Sequence, residues 1–237
     1  MGIRRGPNIV RDGLVFAVDA ANPSSYVSGS SLWKDQTINQ NDGTLVNDPT
    51  FNSDDQGSID FDGADDYMTI NNSAELSFDR TTSFTIAGWF NLSANEANAP
   101  YWGKWGTNGA ESTGNYMIWS GVSSTLPRVV FSVANGTGTA ATTPLYTYTR
   151  NQWNYWVGIY TSNTKLDFYE NGVLQTSVNY TGAINNTETP WTINRATFSG
   201  GAQHFTGKSN CLQIYNRALS LNEVLQNYNA LKGRFGL

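Results

Sequence analysis

The sequence predicts an all-β protein, an antiparallel β-sandwich of jelly-roll type with one helix near the C-terminus. Two observations support this fold class. Aromatic residues make up 13% of the 237 residues and charged residues only 14%, while glycine is abundant. Several runs also alternate apolar and polar residues between turn-forming residues, which is the pattern of short strands joined by tight turns. We interpret residues 1–237 as a single domain of this kind.

The first predicted strand covers residues 15–18, and a long polar region follows it. Trp33, Leu45 and Phe51 are the apolar residues that stand out in this region. Large apolar side chains favour the interior. We therefore expect a long loop that these three side chains fix to the core.

Residues 57–70, GSIDFDGADDYMTI, predict two strands joined by a turn at Gly63. Apolar and acidic residues alternate in the first strand, so one face is buried and the other carries carboxylates. Calcium prefers several oxygen ligands, which makes this corner a candidate site for structural calcium. The candidate ligands are Asp62, Asp65 and Asp66. The alternative interpretation is that these acids cap the turn, as aspartate commonly does.

Four later runs continue the strand pattern, at residues 83–90, 128–134, 153–161 and 165–170. Asn171 and Gly172 then separate two strand-like runs. Both central residues of the favoured two-residue hairpin turn need a positive φ, and Asn-Gly is the sequence that meets this need best. We predict a β-hairpin with its tip at these two residues.

One helix is predicted, starting at Leu221. Ser220 and Glu223 have the spacing of a capping box, in which each residue binds a backbone N–H of the first turn. The apolar stripe expected to face the sandwich consists of Leu221, Val224, Leu225, Tyr228 and Leu231. Gly233 is the expected end of the helix. Residues 233–237 are expected to form a tail, either free or docked on a neighbouring subunit.

Four segments resemble one known family in wording and order. They are LVFAVDAANPSSY (14–26), FDGADDYMTI (61–70), SFTIAGWF (83–90) and GKSNCLQIYNRALSLNEVLQNY (207–228). The second is similar to the FDGxDDYV signature of laminin-G-like domains in the concanavalin A-like lectin/glucanase superfamily. The resemblance spans nearly the whole chain and implies a concanavalin A-like jelly roll.

Two segments are also similar to virion proteins of tailed bacteriophages, namely DGLVFAVDAANPSSY near the start and NALKGRFGL at the end. This resemblance implies a non-enzymatic structural protein of the virion, either a head decoration protein or a tail-fibre component. The implied partners are other virion proteins, host-surface glycans and further copies of the same chain. The alternatives are a free-standing carbohydrate-binding lectin or adhesion module and, less favoured, a polysaccharide hydrolase.

Catalytic signatures are weak. His204 is the single histidine, and it lies in a glycine-rich loop without a sequence neighbour that would orient it. Hydrolases of the superfamily carry a Glu-x-Asp-x-x-Glu pattern on one strand. The nearest match has Lys165 at the nucleophile position, followed by Asp167 and Glu170. Loss of the nucleophile removes the double-displacement route, so no catalytic residue is assigned and no enzymatic activity is expected.

Aromatic and polar side chains cluster in residues 99–119. Sugar rings stack on aromatic planes, and amide and ammonium groups bind sugar hydroxyls. The candidate glycan-binding residues are Trp102, Lys104, Trp105, Asn108, Tyr116 and Trp119. The alternative for each tryptophan taken singly is burial in the core.

Charge and apolar patterning exclude several classes of partner. The formal net charge of -5 argues against nucleic acid, because phosphate binding needs clustered Lys and Arg. No apolar run has the length of a membrane span, and the opening residues lack the apolar region of a signal peptide. We expect synthesis in the host cytoplasm and a location on the virion. The single cysteine, Cys211, is expected to be buried and unreactive.

Overall fold

A computed structural model of the protein describes residues 8–93, 99–105, 115–120, 126–135, 139–198 and 201–237. Two antiparallel sheets and a small separate hairpin contain its strands. Buried side chains from both sheets form one shared core. The predicted β-sandwich with a C-terminal helix is confirmed.

The first sheet has eight strands. They are β1 (Leu14–Asp19), β4 (Thr50–Asn52), β5 (Ser58–Asp62), β7 (Phe84–Leu92), β13 (Asn154–Thr161), β14 (Lys165–Glu170), β15 (Val173–Asn179) and β19 (Thr206–Tyr215). Their order is β15-β14-β13-β7-β19-β5-β4, and β1 pairs with β19. The strand β19 therefore joins parts of the chain that are far apart in sequence.

The second sheet has nine strands. They are β2 (Leu32–Trp33), β3 (Gly43–Val46), β6 (Tyr67–Ile70), β8 (Pro100–Lys104), β9 (Tyr116–Trp119), β10 (Arg128–Ala134), β11 (Thr139–Thr142), β12 (Tyr146–Thr147) and β16 (Trp191–Ile193). Their order is β11-β10-β9-β8-β16-β6-β3-β2, with β12 paired to β10. The hairpin consists of β17 (Ala196–Phe198) and β18 (Gly201–Gln203). Short 3-10 helices cover Asp54–Gln56, Ala74–Leu76 and Lys232–Phe235.

The long loop predicted after the first strand differs from the structure, because it contains the short strands β2, β3 and β4. Trp33 and Leu45 are buried in the core, as expected of anchoring residues. The predicted hairpin is confirmed. Asn171 and Gly172 join β14 to β15 with φ values of 52° and 84°, the left-handed backbone that this turn needs.

The core between the sheets consists largely of aromatic side chains in contact. Phe84, for example, lies with its ring centroid 4.8 Å from that of Tyr116 and 5.5 Å from that of Tyr160. Such pairs add about 0.5–1.5 kcal/mol beyond the burial of apolar area. The sandwich is therefore a dense frame for its loops.

The helix α1 (Leu221–Leu231) covers the outer face of the first sheet. The predicted capping box of Ser220 and Glu223 is present. Its buried residues are Val224, Asn227 and Leu231, so the predicted apolar stripe is only partly correct. Leu221 and Leu225, which we expected to face the sandwich, are 55% and 41% exposed, because the helix contacts the sheet through the neighbouring stripe.

The last residues dock on their own chain. The Phe235 ring lies 4.3 Å from Trp89 and 4.6 Å from Trp153, between ring centroids. Arg234 Nη1 lies 2.8 Å from Asp19 Oδ1. The expected tail at 233–237 thus belongs largely to the 3-10 helix Lys232–Phe235, and it docks on its own chain rather than being free or docked on a neighbouring subunit. Within the described ranges, no helix has the length and apolar character to cross a membrane.

Candidate functional site

The acidic corner predicted between two strands lies where β5 turns into β6. Ile59 and Phe61 are buried, while Asp60 and Asp62 lie on the more accessible face. Gly63 has a φ of 81°, and a side chain there would collide with the Thr206 hydroxyl. A glycine is therefore required for the turn that brings the acids together.

The predicted calcium ligands Asp62, Asp65 and Asp66 converge. One carboxylate oxygen from each lies within 4.8 Å of the others. Burial raises the pKa of Asp66, and the charges of Asp62, Asp65 and Asp48 raise it further. A bound cation would offset this repulsion, and all the donors are the hard oxygens that calcium prefers. The three residues fit a structural calcium ion.

The same carboxylates also hold the turn. Asp62 Oδ1 accepts a hydrogen bond from Ala64 N at 2.8 Å, and Asp66 Oδ2 accepts one from Asp62 N at 3.2 Å. Such side chain to backbone bonds are the usual role of aspartate in turns. The three carboxylates can therefore hold a cation. The hydrogen bonds of Asp62 and Asp66 to backbone N–H groups also stabilise the turn on their own.

A polar cleft adjoins this corner, with a volume of about 530 Å³. It lies at one end of the first sheet, beside β5, β7 and β19. The lining residues are Asn47, Asp48, Thr50, Asp60, Phe61, Asp62, Asp66, Asn91, Ser93, Asn151, Thr206, Gly207 and Lys208. Lys208 Nζ lies 3.8 Å from Asp60 Oδ2, so opposite charges face each other inside the cleft.

Several groups in the cleft are available to a ligand. In the part of the chain that the structure describes, the side chains of Asp48, Asn91 and Asn151 make no hydrogen bond. Asn47, Asp48 and Asn151 have φ values of 65°, 64° and 56°. Left-handed backbone is uncommon outside glycine, and asparagine and aspartate are among the residues that adopt it most readily. The cleft therefore presents amides and a carboxylate whose hydrogen-bonding capacity is unused.

The predicted glycan-binding aromatics require a correction. Trp102 and Tyr116 are fully buried in the core between the sheets. Trp105 and Trp119 lie in a separate buried cluster of the second sheet. None of these four offers an open ring face to a sugar, so the structure supports core packing. Asn108 lies outside the described residues.

Lys104, the remaining predicted glycan contact, is also buried. Its Nζ donates hydrogen bonds to Asn72 Oδ1 and Ser77 Oγ, both at 2.5 Å. Burial lowers the pKa of Lys104 to about 8, and the charge of Glu188 opposes this shift. Its contacts are with the protein interior rather than with a surface ligand.

The acids of the nearest hydrolase-like pattern do not converge. Asp167 is bound by Lys165 at 2.8 Å and by the Ser177 hydroxyl at 2.6 Å. Glu170 accepts hydrogen bonds from Tyr146 at 2.7 Å and from Trp156 at 3.2 Å. Separated by three positions in one strand, the two carboxylates point to opposite faces. This arrangement does not supply the acid pair of a glycosidase.

The single cysteine matches its prediction. Cys211 is buried on the outer face of the first sheet. Burial raises the pKa of its thiol well above the usual value. A thiol in that state is a poor nucleophile, so Cys211 serves packing.

Sequence reasoning missed the cleft beyond its acidic corner. Asn47, Asn91 and Asn151 come from three distant segments, and only the folded sheets bring them together. A partial signal existed in residues 47–49, Asn-Asp-Pro, which is a turn-forming sequence. The other amides carry no local pattern that separates them from ordinary loop residues.

Comparison with known families defines the class of protein. The laminin G family model of the concanavalin A-like lectin/glucanases superfamily matches residues 62–225. The chain belongs to this superfamily. No curated protein matched the sequence.

Solved structures with the same fold include toxin binding domains. The binding domain of Paraclostridial Mosquitocidal Protein 1 aligns with a TM-score of 0.71 and 15% identity, covering 92% of this chain and 52% of that one. The botulinum neurotoxin DC binding domain in complex with SialylT aligns with a TM-score of 0.69 and 11% identity, covering 92% and 51%. The same domain in complex with rat synaptotagmin II gives 0.67 and 12%, covering 92% and 52%. This chain therefore spans about half the length of those domains, and the likeness shows the fold.

Proposed function

We propose that the protein is a non-enzymatic binding component of a tailed-bacteriophage virion, as a head decoration protein or part of a tail fibre. Its lectin-like sandwich contacts hydroxyl-rich glycans of the host surface through the polar cleft. Many copies on one particle raise the apparent affinity of a weak single site. Calcium at Asp62, Asp65 and Asp66 would support the wall of that cleft.

The observation that carries this proposal is the unused hydrogen-bonding capacity in the cleft. Asn91 and Asn151 supply amides, Asp48 supplies a carboxylate, and all three side chains lie on loops or strand ends. Amides and carboxylates match the donors and acceptors of sugar hydroxyls. The cleft is nearly free of aromatic groups, so recognition would depend on hydrogen bonds rather than on stacking.

The proposed glycan binding is tested with the isolated chain on a glycan array, followed by titration calorimetry. The double variant Asn91→Ala, Asn151→Ala should weaken binding about tenfold or more, because it removes two polar contacts. Asn222→Ala, an exposed change on α1, is the matched control and should bind like the wild type. Absence of glycan binding by the wild type, or equal binding by both variants, would contradict the cleft assignment.

The proposed location on a virion rests on the opening and closing segments, which resemble phage virion proteins. Mass spectrometry of purified particles should detect the chain, and immunogold labelling should place it on the head or on the tail. Absence from purified particles would refute this location while leaving glycan binding intact. Cleavage of a polysaccharide with turnover would refute the non-enzymatic assignment.

A free-standing lectin or adhesion module is the second candidate. It is favoured by the fold shared with toxin binding domains, one of which was solved with SialylT and with rat synaptotagmin II. This candidate predicts glycan binding by the isolated chain without any association with particles. Particle analysis therefore separates the two candidates.

A further inference from the structure

A second cavity, with a volume of about 470 Å³, lies on the outer face of the first sheet. Its floor is the ladder of β1 and β19, where Ala17 pairs with Gln213 and Asp19 pairs with Cys211. The end of α1 and the 3-10 helix that follows it lie over this floor, and residues 8–11 form one wall. The cavity shares no residue with the polar cleft. It is called the helix cavity below.

The wall of the helix cavity is fixed by hydrogen bonds. Asn227 Oδ1 accepts a hydrogen bond from Val10 N at 2.7 Å, and the Tyr215 hydroxyl donates to the Val10 carbonyl at 3.1 Å. Gln226 Nε2 donates to the Asn8 carbonyl at 2.7 Å. The first described residues are therefore held to the helix and to β19. A cavity with fixed walls binds a ligand without the cost of first ordering the chain.

Gln213, on the floor of the helix cavity, has an unused donor. The residue is only 3% exposed, and its Oε1 accepts a hydrogen bond from the Tyr155 hydroxyl at 3.3 Å. Its Nε2 remains accessible and makes no hydrogen bond with the described residues. Keeping an amide donor in a nearly buried position without a partner is unfavourable. A ligand that places an acceptor in the cavity would remove this penalty.

The charge of the helix cavity favours an anion. Arg234 Nη1 pairs with Asp19 Oδ1 at 2.8 Å, while Nε and Nη2 of Arg234 make no hydrogen bond with the described residues. Arg11 lies exposed at the rim and has no ionic partner among the same residues. Two guanidinium groups and one carboxylate give the lining a net charge of +1, in a chain with a net charge of -5. Guanidinium groups bind carboxylates strongly, often through two parallel hydrogen bonds.

The remaining lining of the helix cavity is apolar. Ala17 on the sheet and Ala230 on the helix both line it, and their small side chains leave room for a ligand. Larger apolar side chains complete the lining, namely Ile9, Leu14, Val18 and Leu231. Ligand sites commonly combine such apolar walls with a few polar groups that orient the ligand. A ligand with one charged end and an apolar body matches both parts of this lining.

We infer that the helix cavity binds a small organic acid. The carboxylate of the acid lies at Arg234, Arg11 and Gln213, and its apolar body lies against Leu14 and Leu231. Such a ligand contacts the sheet, the helix and the first described residues at the same time. This site is additional to the polar cleft, and its test does not depend on glycan binding.

Hexanoate is the probe for the inference, and 1-hexanol is its uncharged counterpart with the same carbon chain. In two-dimensional ¹⁵N NMR of the full chain, the side-chain amide signal of Gln213 should shift as hexanoate is added. The titration extends to about 10 mM, where a site with a millimolar Kd is mostly occupied. Hexanol should bind about tenfold more weakly or worse, because it cannot form the charge-assisted hydrogen bonds. An unshifted Gln213 signal would mean that the cavity holds only water and would overturn the inference, as would equal binding of the two probes.

Two pairs of variants locate the site. Arg11→Gln should weaken hexanoate binding about threefold or more, whereas Arg150→Gln, at another exposed arginine, should bind like the wild type. Ala230→Phe fills the cavity and should abolish binding, whereas Asn222→Phe, at an exposed position of the same helix, should not. If Ala230→Phe lowers the melting temperature, Ala230→Leu replaces it. Hexanoate binding that survives the filled cavity, or that responds equally to both arginine variants, overturns the assignment.

Discussion

Lys104 illustrates how the surroundings of one residue decide its role. It lies in a stretch rich in tryptophan, where a lysine looks suited to binding sugar hydroxyls. In the fold its ammonium group is buried and held by Asn72 and Ser77. A buried ammonium group is costly unless it is hydrogen-bonded, and these two acceptors explain how this one is tolerated.

The lowered pKa of Lys104 predicts a pH-dependent stability. The pKa is 10.5 in the unfolded chain and about 8 in the fold, so between these values the unfolded state binds more protons. The contribution of Lys104 to the free energy of unfolding should therefore rise with pH in this window, by at most about 1.4 kcal/mol per pH unit. Urea unfolding of the wild type and of Lys104→Met, from pH 7 to pH 10, measures this difference. A difference that is constant with pH would contradict it.

At the scale of elements, the predictions that proved correct depend on local sequence patterns. The hairpin at Asn171 and Gly172 and the capping box of Ser220 and Glu223 depend on a few adjacent residues, and both predictions are confirmed. Burial of Trp102 or Trp105 depends instead on packing between distant strands. Both sheets carry apolar clusters outside the shared core. The alternation of apolar and polar residues along a strand therefore does not reveal whether an outward-facing aromatic side chain is buried.

The ion pair of Arg217 and Glu223 predicts an acid-sensitive helix start. Glu223 is bound by Arg217 and also by Ser220, and the Arg217 bond is the main reason that its pKa falls to about 2. A carboxylate with a lowered pKa stabilises the fold above its unfolded pKa of 4.5 and loses this effect as the pH falls towards 2. Glu223→Gln keeps an acceptor for the capping box but removes the charge that binds Arg217, so it should lower the free energy of unfolding by about 0.2–1 kcal/mol at pH 7. The loss should shrink below pH 4.5.

Urea unfolding at pH 7, 4.5 and 2.5 measures this effect. Glu75→Gln, at an exposed position on a 3-10 helix, is the control. Equal losses in the two variants would mean that the ion pair of Arg217 and Glu223 contributes nothing specific.

The acidic corner of β5 and β6 predicts stabilisation by calcium. An ion that binds only the native state raises the free energy of unfolding. The increase is about 2.7 kcal/mol when the free ion concentration is a hundred times the Kd. Calcium should raise the melting temperature of the wild type, and EDTA should reverse the rise. Asp62→Asn with Asp65→Asn should abolish the response, while the exposed control Asp54→Asn should retain it. If neither calcium nor EDTA changes the melting temperature, the corner is an acidic turn without a bound ion.

At the scale of the whole molecule, the pairing of β1 with β19 joins the two ends of the fold. The Tyr215 hydroxyl donates to the carbonyl of Val10, 205 positions away, and the first sheet is incomplete until β19 takes its central place between β7 and β5. A ribosome adds about 5–20 residues per second. The nascent chain therefore exposes unpaired strands for roughly 10–40 s before its sheet can close. Because non-local pairing is also slow, the fold is completed only after nearly all of the sequence has left the ribosome, and chaperones that bind the nascent chain encounter it as an open sheet.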